Sequence, residues 1–114
     1  MALTGIYRHF KGNYYEVVGI AVVQGTNDEL VLYRQLYDVF GYWMRPKAMF
    51  FGDRLTEKGP IKRFECVGKM FQNSLDKEDI GNLTIGHSES QKMYKVLHFT
   101  KTEEGYLITV QALE

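Results

Sequence analysis

Near the start of the chain, Tyr7-Arg8-His9-Phe10-Lys11-Gly12 packs three candidate cations and two aromatic rings into six residues. An imidazole can move a proton, a cation can hold an anion, and a ring can stack on a flat ligand. General acid–base work by His9 would need a partner within hydrogen-bond reach. No spacing around His9 supplies one. A second cluster, Trp43-Met44-Arg45-Pro46 followed by Met49-Phe50, repeats the pairing of ring and cation. On a strand Trp43 and Arg45 face the same way, which sets an aromatic plane beside a guanidinium able to bind carboxylate or phosphate in a fork. Tyr33-Arg34 carries the same chemistry on opposite faces. Arg34 has Leu32 and Leu36 on its own face, so it is either at a strand edge or a half-buried charge in need of a partner.

Other chemistries lack their signatures. Ser74, Ser88 and Ser90 sit in a polar stretch without a G-x-S-x-G elbow and read as solvated loop serines. His87 and His98 show neither H-x-E-x-H nor paired-cysteine spacing, so no metal site is expected. The glycines are scattered, and none opens a helix ahead of Lys and Ser or Thr as a phosphate loop requires. No catalytic residue and no cofactor is therefore assigned, and Asn82-Leu83-Thr84 is taken as a chance match to a glycosylation acceptor.

The elements that must carry these residues read as strands. Apolar and polar residues alternate from Ile6 to Lys11, which puts Tyr7, His9 and Lys11 on one face for ligand contacts and Ile6, Arg8 and Phe10 on a face expected to pack. Gly12-Asn13 is a turn. Tyr14 to Val23 is apolar on both faces, as in a covered central strand, and Gly19 in its middle marks a bulge or bend. Residues 14–36 form a long hairpin, Tyr42 to Pro46 a further strand, and Lys47 to Phe51 either a helical turn or a strand end. Glu57-Lys58-Gly59-Pro60 is a turn before the alternating run Ile61 to Met70. Residues 72–86 read as a polar connector with a short helix over Asp76 to Ile80, and Met93 to Leu113 as a C-terminal hairpin whose Tyr106, Ile108, Val110 and Ala112 share an apolar face. The expected fold is mainly β: a small, partly open, SH3-like barrel of six to seven short strands with an added C-terminal β-hairpin.

With 114 residues the chain suits one domain, divided into a core over 5–67 and an extension over 68–114. Hydrophobic residues at 45% and charged residues at 25% argue for a folded globule rather than a disordered chain. Fourteen basic residues balance fourteen acidic ones, so no global field draws the protein to double-stranded nucleic acid or to an anionic membrane. The lone Cys66 can form no intrachain disulfide and is expected to be a buried, reduced thiol. The N-terminus lacks a charged start followed by an apolar run, and Val17 to Val23 is too short to span a bilayer. A soluble cytoplasmic protein is expected, with a homo-oligomer left open.

Taken together, Tyr7-Arg8-His9-Phe10-Lys11-Gly12, Tyr15, Leu32-Tyr33-Arg34-Gln35-Leu36-Tyr37, Trp43-Met44-Arg45-Pro46, Met49-Phe50 and Arg63-Phe64 resemble the bacterial domain-of-unknown-function family DUF1653 over about residues 5–67. The resemblance implies a small β-rich domain and no established activity. Family members tend to carry His and Glu shortly after the position of Ala21, where this chain has Val22-Val23-Gln24-Gly25. The functional expectation is a non-enzymatic binding module for a small anionic, aromatic, nucleotide-like ligand, held by Tyr7, His9, Lys11, Tyr33, Arg34, Trp43 and Arg45. Such a module could sense or sequester a nucleotide signal, for example in phage defence. The alternative is a protein- or RNA-interaction module, since small β-barrels often present aromatics to a peptide or single strand.

Overall fold

A computed structural model describes residues 4–39, 41–68, 81–102 and 105–113. The fold is mainly β. In chain order the strands are β1 (Gly5–His9), β2 (Tyr14–Val23), β3 (Glu29–Gln35) and β4 (Tyr42–Pro46), then one turn of helix, α1 (Lys47–Phe50). They continue as β5 (Asp53–Thr56), β6 (Gly59–Lys62), β7 (Phe64–Gly68), β8 (Thr84–His87), β9 (Met93–Thr102) and β10 (Gly105–Ala112). The sheet runs β10-β9-β8-β4-β3-β2-β1-β7 and closes on itself through a parallel β10–β2 pairing; β5 and β6 form a separate hairpin. The result is a closed six-stranded barrel, β2-β3-β4-β8-β9-β10, with β1 and β7 continuing the sheet beyond it.

Closure depends on β2 serving two neighbours along one edge. Its first half pairs with β1, from Arg8↔Tyr14 to Gly5↔Val17, and its second half with β10, from Tyr106↔Gly19 to Val110↔Val23. The changeover falls where the β2–β3 register slips between Val17 and Gly19, a bulge that bends the strand. Glycine is required there because a Cβ on Gly19 would run into the backbone carbonyl of Tyr106. The hairpin β9–β10 is thus not an appendage but part of the barrel wall.

Strand alternation sorts the side chains into two cores on opposite faces of β2, β3 and β4. Inside the barrel Val18, Ala21, Leu30, Leu32, Met44, Ile85, Tyr106, Ile108 and Val110 are buried, with Tyr94, Val96 and Phe99 of β9 packed against them. Ala112, at the end of the same apolar face, is exposed. On the outer face Tyr7, Val17, Val31, Tyr33, Phe50 and Phe64 form a second cluster flanked by Tyr15, Ile20 and Trp43. The helical turn α1 exists in this setting to deliver Phe50, which is fully buried there.

Several expectations are revised. Tyr7 packs in the outer cluster while Arg8 is exposed, so the face expected to pack carries the solvated cation. Cys66 is exposed: β7 is the last strand of the sheet, and the cluster covers only its first residue, Phe64. Thr84 to Gly86, read as the end of the connector, belong to a strand, Thr84–His87, paired in parallel with β4. The short helix expected over 76–80 lies outside the described residues. None of the described helices is long and apolar enough to cross a membrane.

Candidate functional site

Aromatic rings lead from the outer core to a cationic rim. Phe50 stacks on Phe64 with centroids 4.1 Å apart and planes 8° from parallel, and Phe64 meets the rings of His9, Tyr15 and Tyr33 at 4.8, 5.5 and 5.9 Å. These residues come from α1, β7, β1, β2 and β3, so register brings together what is distant in sequence. Tyr7↔Tyr15 and Tyr15↔Gln35 are direct cross-strand partners, and two positions on, the same face presents His9. The Tyr15 and Tyr37 hydroxyls share a hydrogen bond of 2.7 Å. Burial, and then this bond, pushes the Tyr15 phenol well above its ordinary value.

Arg45 lies over this surface from β4. Its guanidinium carbon is 5.5 Å from the centre of the Phe64 ring, and together with Ser88 it flanks the Tyr33 hydroxyl. One contact reaches it from the turn after β8, where Glu89 Oε1 lies 3.4 Å from Arg45 Nη1. Arg63 stands at the corner between β6 and β7, held by Arg63 N–H donating to Gly52 O at 3.1 Å and by Phe10 N–H donating to Arg63 O at 2.9 Å. Arg45 Nε, Arg63 Nε and Ser88 Oγ are buried and have no partner in hydrogen-bonding geometry among the described residues. Buried polar atoms are rarely left so.

His9 reports the field these groups make. Its pKa falls from 6.5 to about 4, first through burial and then through the charges of Arg45, Arg63, Lys11 and Arg54. Lys11 N–H donates to His9 Nδ1 at 3.2 Å, which leaves Nε2 as the protonated nitrogen of a neutral ring. Beside it Phe10 takes the Arg54 guanidinium at 4.8 Å and the Lys11 ammonium at 5.9 Å, within cation–π range. An open depression of 350 Å³ adjoins the cluster at His9 and is lined by Arg8, His9, Phe10, Ile61, Lys62 and Glu65. A neutral imidazole donor, several cations and half-buried rings suit the holding of an anion. No nucleophile is activated among them.

Of the residues singled out in the sequence, His9, Tyr33 and Arg45 meet at this surface, and Lys11 adds its charge from the β1–β2 turn. Tyr7 and Trp43 are packing groups. Trp43 lies across Gly86, its register partner on β8, and its Nε1 donates to Gln35 Oε1 at 3.2 Å. Arg34 points to the opposite face, directly across from buried Glu16 on β2, with its guanidinium 5.7 Å from the Tyr42 ring. Sequence reasoning missed Tyr15, Tyr37, Arg63, Phe64 and Ser88 as members of the site. The period-2 relation of Tyr15 to Val17 and the Arg63-Phe64 dipeptide were usable signals. Nothing local distinguishes Ser88.

The family described as "Protein of unknown function (DUF1653)" matches residues 5–66, more than half of the chain. The chain belongs to DUF1653. A crystal structure of a DUF1653 protein from Bordetella bronchiseptica is similar at 32% identity and a TM-score of 0.53, over 61% of this chain and 92% of that one. None of the curated proteins matches. The DUF1653 segment contains His9, Lys11, Tyr15, Tyr33, Tyr37, Arg45, Arg63 and Phe64, whereas Ser88, Glu89 and the strands that close the barrel lie beyond it.

Proposed function

We propose that this DUF1653 protein is a non-enzymatic binding module for a small anion carrying a flat ring, of nucleotide type. The observation that carries the reading is the pair of buried donors without a hydrogen-bonding partner among the described residues, Arg45 Nε and Arg63 Nε, beside a neutral His9 and the half-buried rings of Phe10 and Tyr15. A phosphate or carboxylate would supply the missing acceptors, and a base could lie on the ring surface. The adjoining volume of 350 Å³ lies at the lower end of small-molecule pockets. Base stacking contributes ~1–3 kcal/mol and a charge-assisted hydrogen bond ~1.5–3 kcal/mol. Two or three such contacts, less the ordering costs of association, amount to micromolar affinity.

Thermal-shift and calorimetric screening against nucleotides tests the reading. A ligand is expected whose binding disappears in Arg45→Ala and weakens in Arg63→Ala. A blank screen, or a ligand indifferent to both substitutions, defeats it.

A further inference from the structure

The turn between β8 and β9 brings a carboxylate to the guanidinium on which the proposed anion site rests. That turn is firmly placed. Ser88 N–H donates to Met44 O on β4 at 2.8 Å, and the Glu89 and Ser90 amides both donate to His87 Nδ1, at 3.1 and 3.2 Å. The Gln91 amide closes it by donating to His87 O at 3.0 Å. From this support Glu89 reaches Arg45, yet the contact is loose: 3.4 Å is long for a charged N–H to carboxylate bond, which is usually about 2.7–2.9 Å. The Glu89 side chain is 43% exposed against 17% for Arg45, so the acid can swing into water while the guanidinium stays. Arg45 Nε is buried beside this contact and has no hydrogen-bonding partner among the described residues. Glu89 also lies outside residues 5–66, so it reaches a family-segment arginine from this chain's own extension.

Resting on the reading of the Arg45 surface as an anion site, we propose that Glu89 is a tethered competitor: its carboxylate occupies Arg45 until an incoming anion displaces it, and so sets the affinity threshold of the site. A ligand then succeeds by taking the Arg45 guanidinium from Glu89 while also drawing on the charges of Arg63, Lys11 and Arg54 around His9, as a phosphate with several oxygens can. Exposed ion pairs of this kind are weak, so the tether tunes the threshold rather than closing the site.

Phenyl phosphate, an anion with one ring, and inorganic phosphate are the probes, titrated by calorimetry and amide NMR into wild type, Glu89→Gln and Arg45→Ala. Glu89→Gln removes charge from an exposed turn residue and retains its shape. The proposal expects it to bind both probes roughly 3–10-fold more tightly than wild type at low salt, with the gain shrinking as salt rises. Equal or weaker binding in Glu89→Gln, with binding still lost in Arg45→Ala, overturns the tether and leaves the anion site standing, with Glu89 as a residue that positions Arg45. No binding by wild type or Glu89→Gln overturns both.

Discussion

The two faces of the same three strands are built differently. Inside the barrel β2, β3 and β4 contribute Val18, Ala21, Leu30, Leu32 and Met44, an aliphatic set, with the buried Glu16 across from Arg34 the charged pair on that face. On the outer face they contribute Tyr15, Val17, Val31, Tyr33 and Trp43, roofed by Phe50, Phe64 and Tyr7 and rimmed by Arg45, Arg63 and His9. Aliphatic side chains pack in few ways and offer nothing to a solute. Aromatic rings with polar tips pack nearly as well and still present edges, faces and hydroxyls at the margin. The barrel interior therefore reads as the source of stability, and the outer cluster as a second core whose rim is available for chemistry.

The sharpest way to break the inner region is at the point of closure. Gly19→Ala puts a methyl group into the Tyr106 carbonyl, and backbone on both sides leaves little room to yield. The parallel β10–β2 ladder should open, with a loss of more than ~4 kcal/mol in urea unfolding and disappearance of hydrogen-exchange protection on residues 106–110. An alanine variant as stable as wild type would mean that the barrel does not close here. Next in size is Leu32→Ala, a truncation at a fully buried interior position expected to cost ~2–5 kcal/mol by denaturant titration while the binding of any ligand at the Arg45 surface survives in the folded fraction. Loss of ligand affinity equal to that of Arg45→Ala would show that the two faces are not separable.

Legibility in the sequence divides along the same line. The doubly apolar run Tyr14 to Val23, the bend at Gly19 and the terminal hairpin were all readable, because composition of a run and glycine act locally. Closure of the barrel was not, since it depends on Tyr106 finding Gly19 from the far end of the chain. The site was half legible for the same reason. His9, Tyr33 and Arg45 announced themselves by residue type, and strand period put each on a definable face. That Trp43 would spend its ring on Gly86 and its N–H on Gln35, that Glu89 would reach Arg45 or that Ser88 would reach Tyr33, follows from the parallel pairing of β4 with β8, which no local pattern encodes. Cys66 was misjudged because composition says that thiols are usually buried, whereas position on the last strand decides.

The rim can be probed by pH. A protonated His9 would face Arg45, Arg63, Lys11 and Arg54 in a partly desolvated setting, so its pKa falls to about 4 from 6.5. Between those values the unfolded chain takes up a proton that the folded chain refuses. Stability is therefore fully present above pH 6.5, declines as the pH drops through this window, and levels off below about 4 as far as His9 is concerned. In His9→Asn, which can still accept the Lys11 amide, that part of the decline should vanish. The check is the difference between the two unfolding free energies measured from pH 7 to 3.5; parallel curves would mean that neither burial nor the cations lower the His9 pKa.

The smallest expected effect asks whether the tyrosine hydroxyls of the outer cluster hold it together or merely fringe it. Tyr15 and Tyr37 share one 2.7 Å hydrogen bond between groups that are only partly buried, so water can replace either partner when the other is removed. Tyr15→Phe and Tyr37→Phe should each cost ~0.5–1.5 kcal/mol, because a net hydrogen bond contributes about that much when no donor is left stranded. The double variant should cost little more than either single one, since the second deletion has no bond left to break. Additive losses in the double-mutant cycle would assign each hydroxyl a separate partner. A near-zero cost for both would place them with Arg45 and His9 as rim groups, whose removal changes what the surface can hold and leaves the stacked rings of Phe50 and Phe64 to keep the second core intact.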